Sequence, residues 1–157
     1  MTQTESITRT DSGNADFHSL VVLLDKDLKI RDGEDHAFYA QYNKLDKINH
    51  VVIAYINGKA VGCGAIKPYE QKVAEVKRMF VLPEYRGQGI AGRVLAELEL
   101  WAEELNFSEC ILETGIKQPE AIRLYQKSGY KQIANYGQYA GIEDSVCMQK
   151  LIKTAVV

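Results

Sequence analysis

Apolar positions change their spacing along this chain, and the changes predict an order of elements. Over 14–24, Phe17, Leu20, Val21 and Leu24 repeat at helical intervals and predict a first helix with one buried face. The preceding polar stretch carries one expected edge strand near Ile7, and Asp32-Gly33 opens a second predicted helix over 34–42. Further on, two apolar runs flank Asn57-Gly58, a dipeptide suited to the left-handed backbone of a two-residue hairpin. Strands are therefore predicted over 51–56 and 60–66, and a third over 73–81 completes an antiparallel meander. Pro83 ends that strand, because proline cannot donate to a central ladder.

Helical spacing returns over 90–105, where Ile90, Val94, Leu95, Leu98, Ala102 and Leu105 share a stripe and Arg93, Glu97, Glu103 and Glu104 lie mostly off it. A strand follows at 110–114. A helix over 119–127 has proline in its first turn and Ser128-Gly129 as its stop, and a last strand covers 145–152. Strands first, then alternating helices and strands, describe an α/β domain of mixed α+β type, a sheet with helices on its faces.

Composition narrows the picture. The chain has 157 residues, 46% hydrophobic and 25% charged, enough for one domain spanning 1–157 with a real core. A net charge of −2 argues against a general nucleic-acid binder, which carries a basic excess. No apolar run approaches the roughly 20 residues of a membrane span. The first residues lack the layout of a secretion signal, so a cytoplasmic location is expected. Cys63, Cys110 and Cys147 are widely spaced within apolar stretches and form no metal-binding cluster. They read as buried thiols, with Cys110 as an acyl carrier the sharper alternative. His18, His36 and His50 read as surface or capping residues, and Asp25-Lys26-Asp27 as a solvated face.

The chemistry concentrates between Lys77 and Gly92. A strand runs into a glycine-rich turn, and the turn opens the long helix. First-turn amides have no partner inside a helix and sit at the positive end of its dipole. Gly87 and Gly89 lack side chains, so an anion can approach that backbone closely, and Arg86 adds a cation. Gly87, Gly89 and Gly92 also satisfy the spacing of a dinucleotide fingerprint, but five residues separate the strand end from Gly87, where that fingerprint needs its glycine close to the strand. A phosphate loop of the Walker type fails, because no Gly-Lys-Ser/Thr follows.

The run Val81-Leu82-Pro83-Glu84-Tyr85-Arg86-Gly87-Gln88-Gly89-Ile90-Ala91 closely resembles the coenzyme A motif of the GNAT superfamily of N-acetyltransferases, Arg/Gln-x-x-Gly-x-Gly/Ala, with Arg86, Gly89 and Ala91 in its defined positions. Downstream, Ala121, Leu124, Tyr125, Gly129 and Tyr130 match a second element, Asn-x-x-Ala-x-x-Leu-Tyr-x-x-x-Gly-Phe, with Gln118 in place of the asparagine. The resemblance covers roughly 50–151.

It implies a GNAT-like fold: a mostly antiparallel mixed sheet of about six to seven strands, helices on both faces, and two central strands splayed to admit the pantetheine arm of acetyl-CoA. It implies that the backbone of Met79, Phe80 and Val81 holds that arm. The amides of Arg86, Gly87, Gln88, Gly89, Ile90 and Ala91 would hold the pyrophosphate, with Gln118 and Tyr125 also at the cofactor. It implies transfer of an acetyl group to a primary amine of a small molecule or peptide, without a metal, and it allows a homodimer.

Attack requires a neutral amine, and most aliphatic amines are charged at neutral pH. Glu113 and Glu75 are the carboxylates placed on strands beside the expected gap, and either could take the proton, with Glu113 preferred. Strand alternation puts Glu75 on one face with Lys77, Met79 and Val81. Tyr125 resembles the family's donor to the departing thiolate. Tyr136 and Tyr139 are expected on one wall of the amine pocket, and Glu34, His36, Tyr39 and Tyr42 on the other. A silent acyl-CoA-binding sensor on the same fold is the alternative function.

Overall fold

The computed structural model describes residues 3–32 and 47–152. The helix predicted over 34–42, and with it Glu34, His36, Tyr39 and Tyr42, lies outside the described residues. Strand β1 (Glu5–Thr10) leads into α1 (Ala15–Asp32), then β2 (His50–Ile56), β3 (Lys59–Glu70) and β4 (Val73–Val81). After a short 3-10 turn at Pro83–Tyr85 come α2 (Ile90–Glu104), β5 (Glu109–Gly115), α3 (Pro119–Lys127), β6 (Lys131–Ile133) and β7 (Ser145–Leu151). The strands form one sheet in the order β1-β2-β3-β4-β5-β7-β6, and only the β4–β5 pair is parallel. The mixed sheet, its mostly antiparallel pairing and its seven strands agree with the fold expected from the sequence.

Local chemistry accounts for the elements. The Asn14 carboxamide accepts from the amides of Asp16 and Phe17 and caps α1, a standard repair for orphan donors. Phe17, Leu20, Val21 and Leu24 are buried beneath that helix, which runs eight residues past its predicted end because Leu28 extends the apolar stripe by one more turn. Asn57 and Gly58 both have positive φ, as the hairpin turn demands. Strand β6 is only three residues long and carries no alternating pattern, so the sequence does not predict it.

Two features of β4 shape everything near the cleft. The pairing of Cys63 with Phe80 and of Ala65 with Lys77 leaves Arg78 and Met79 together opposite Gly64, a β-bulge with Arg78 at φ +60°. The bulge reverses the side-chain alternation. Glu75 and Lys77 therefore share a face with Phe80, while Met79 and Val81 turn to the α2 side. This corrects the face expected for Met79 and Val81, since period-two reasoning cannot see an inserted residue. The opposite strand thins to accommodate the turn: a Cβ on Gly64 would collide with the Met79 sulfur and lie 2.8 Å from Leu98 Cδ1.

The second feature is a parting of strands. β4 and β5 pair only at Val73–Glu109, Ala74–Cys110 and Glu75–Ile111. Beyond Glu75 they separate, opening a gap at the middle of the sheet.

Candidate active site

The gap is where the sequence-predicted residues collect. An open cleft of about 310 Å³ is lined by Met79, Phe80 and Val81 from β4, by Arg86, Gly87, Gly89, Ile90 and Ala91 from the turn into α2, by Tyr125 from α3 and by Gln118 just before that helix. Gln88 is not part of this lining. Leu24 and Asp27 of α1 close one side. Asp25 and Lys26 stay exposed, as their sequence suggests, while Asp27 is half-buried; Asp25 meets Arg78 at 3.3 Å and Asp27 stands 4.0 Å from Arg86, partners more than 50 residues away.

The turn is built for an anion. Gly87 and Gly89 have φ of +82° and +80°, a backbone that residues with side chains rarely adopt, and a Cβ on Gly87 would meet nothing within 4 Å. The first helical bond of α2 runs from Arg93 to the Gly89 carbonyl, so the amides from Gly87 to Gly92 find no acceptor among the described residues. Arg86 supports the strand end. Its Nε donates to the Val81 carbonyl at 2.9 Å and its guanidinium lies over the Phe80 ring.

A second, smaller chamber adjoins the first and shares Met79, Gln118, Ala121 and Tyr125 with it. Glu75, Lys77, Glu113 and Tyr139 line its far side. Glu75 is only 6% exposed and accepts a hydrogen bond of 2.6 Å from the Tyr136 hydroxyl. The Tyr136 ring stacks edge to face between Tyr69 and Tyr139, which fixes the direction of that bond. Lys77 Nζ lies 3.9 Å from Glu75, and burial holds its ammonium below the usual lysine range. Tyr125 stands at the junction. Burial first, and the Glu113 charge second, raise its pKa and keep the phenol protonated.

The described cysteines are all buried, and burial pushes Cys63 and Cys110 up to about 12. Thiols so held form little nucleophilic thiolate near neutrality, which speaks against Cys110 as an acyl carrier. His18 Nε2 sits 2.6 Å from the Ser12 carbonyl, and His50 packs on Trp101, so neither reaches the site. Among the described residues no group of three or more His, Cys, Asp or Glu could hold a metal ion, and no helix is long and apolar enough to cross a membrane. Sequence reasoning places Lys77 on the face of Glu75 but gives it no part in the site, and it does not connect Tyr69 with the Tyr136 ring that holds Glu75.

Comparison with known proteins places this arrangement. Residues 17–130 match the model of the acetyltransferase (GNAT) family, most of the described chain and both predicted motifs. The chain belongs to the GNAT family. Among curated GNAT relatives, an IAA acetyltransferase of Azospirillum brasilense is 40% identical over 100 residues, 63% of this chain. The match spans 65% of that relative's own length. A crystal structure from Klebsiella pneumoniae assigned to the acyl-CoA N-acyltransferases superposes with a TM-score of 0.80 at 30% identity, covering 96% of this chain and 99% of its own. A Bacillus anthracis structure assigned as a streptothricin acetyltransferase, solved with acetyl coenzyme A, has a TM-score of 0.55 at 25% identity and covers 64% of this GNAT chain and 59% of its own.

Proposed function

We propose that this GNAT protein transfers an acetyl group from acetyl-CoA to a primary amine of a small molecule or peptide, by direct attack with donor and acceptor bound together. One observation carries the reading: unspent main-chain donors line a cleft that ends, at Tyr125, in a chamber with two carboxylates. The residues fit the donor. The amides from Gly87 to Ala91 suit a pyrophosphate, and the free edge of β4 at Met79 to Val81 suits the amides of a pantetheine arm. When bound, acetyl-CoA supplies a thioester carbonyl open to attack.

The chain's own residues then divide the work. Glu113 takes the proton that the acceptor amine must lose, and Glu75, held by Tyr136, gives that amine's ammonium a fixed counter-charge on entry. Tyr125 donates toward the sulfur as it leaves. Its raised pKa keeps this donor loaded through the working pH range.

The test is calorimetry with acetyl-CoA and NAD, followed by a broad amine screen that reads released thiol. Tight coenzyme binding with thiol release for at least one amine is expected. Coenzyme binding with no product from any amine would leave the silent sensor in its place. Preference for NAD would remove the coenzyme A assignment altogether.

The turn supplies its own check. Gly87→Ala needs a left-handed φ that costs about 1–2 kcal/mol, so the turn will relax away from that geometry. Losing one amide contact to a charged phosphate, about 1.5 kcal/mol, corresponds to roughly tenfold weaker coenzyme A binding by calorimetry.

A further inference from the structure

One nucleophile in the inner chamber has no part in the mechanism above. Lys77 sits on β4 two residues past the last β4–β5 pair, where the strands have parted, and only 12% of its side chain is exposed. It lines the same chamber as Glu113 and Tyr125, the two groups assigned to the acceptor's proton and to the leaving sulfur. Its ammonium lies 3.9 Å from the Glu75 carboxylate, inside the chamber rather than in bulk solvent. Among the described residues Lys77 is the lysine that lines this chamber.

We propose that Lys77 is an internal acceptor, and that the protein acylates its own Lys77 Nζ when a thioester donor is bound and no external amine occupies the chamber. The inference rests on the acetyl-transfer reading above. Deprotonated Nζ forms a bond to the donor's carbonyl carbon, the carbon–sulfur bond breaks, and the sulfur departs as the thiolate of coenzyme A. The Nζ proton passes to a chamber carboxylate, Glu75 standing 3.9 Å away, and Tyr125 donates to the sulfur. The product is a neutral amide. Burial supports the step, because it disfavours the charged ammonium and enlarges the reactive fraction. Acylation would cancel the cation beside Glu75 and fill part of a small chamber, so the modified enzyme should turn over external amines more slowly.

The experiment incubates the full chain with acetyl-CoA in the absence of any amine and follows intact mass and peptide maps over time. The expected result is one added acetyl group per chain, located on Lys77, absent from Lys77→Arg, and formed more slowly when an amine substrate is present. Tyr125→Phe should slow the labelling without redirecting it. Thiol release with an external amine but no label on Lys77 overturns the inference and leaves the acetyltransferase reading standing. Label spread over surface lysines at comparable rates also overturns it, because that pattern is solution chemistry. If the protein binds acetyl-CoA but acetylates neither Lys77 nor any amine, both readings fall together, and the amine screen identifies that case.

Discussion

Glu113→Gln is expected to lower kcat by about 10²–10⁴-fold, the usual contribution of a positioned proton acceptor, while leaving coenzyme A affinity nearly unchanged. The amide keeps the shape of the side chain and loses only its basicity. Wild-type rates should rise with pH as the acceptor amine is more easily deprotonated, and in the variant that dependence should move toward the amine's own ionisation. Glu75→Gln is the parallel measurement. Its carboxylate is buried and bonded to Tyr136, so its loss should appear chiefly as a higher KM for the amine. If Glu75→Gln instead takes the larger share of kcat, the two carboxylates exchange roles. If neither changes the rate, a water chain must carry the proton. An independent readout comes from Tyr125: because the Glu113 charge helps raise its pKa, Glu113→Gln should lower the alkaline titration of that phenol.

Tyr125→Phe is expected to reduce turnover by about 10²-fold and to leave calorimetric coenzyme A binding within twofold, an order-of-magnitude figure for one general acid. The ring stays, so its packing against Tyr130 is kept, and the fold should survive. Acyl donors with better leaving groups need less help at sulfur, so the variant's deficit should shrink with an activated thioester. An undiminished rate would remove Tyr125 from the chemistry and leave it a core side chain.

Most of this architecture is legible in the sequence. The Asn57-Gly58 hairpin, the stripe of α2 and the proline start of α3 are signals in which local chemistry and global fold agree, and each element lies where its spacing predicts. The turn from Arg86 to Ala91 was equally plain, because glycine at positive φ is a requirement of backbone geometry rather than of packing. What stayed hidden depends on distant partners. Nothing near Arg78 announces a bulge; the space for it comes from Gly64 across the strand pair, and the buried Arg78 guanidinium is met by Asp25 from α1. The ring stack of Tyr69, Tyr136 and Tyr139 likewise joins residues far apart in sequence, and no periodicity in either segment connects them. Gln118 lines the cleft as expected, yet its departure from the family's asparagine leaves no mark in the described hydrogen bonds.

The single extra residue at Arg78 separates β4 into two stretches with independent tasks. Downstream, the strand offers main-chain atoms, whose chemistry is the same whatever side chains they bear; upstream, Glu75 and Lys77 offer side chains alone. On the proposed acetyl-transfer reading, exchanging those two residues is expected to retune which amines are accepted without disturbing the hold on the donor. A strand divided in this way would keep substitutions at 75 and 77 from reaching the main-chain atoms beyond the extra residue.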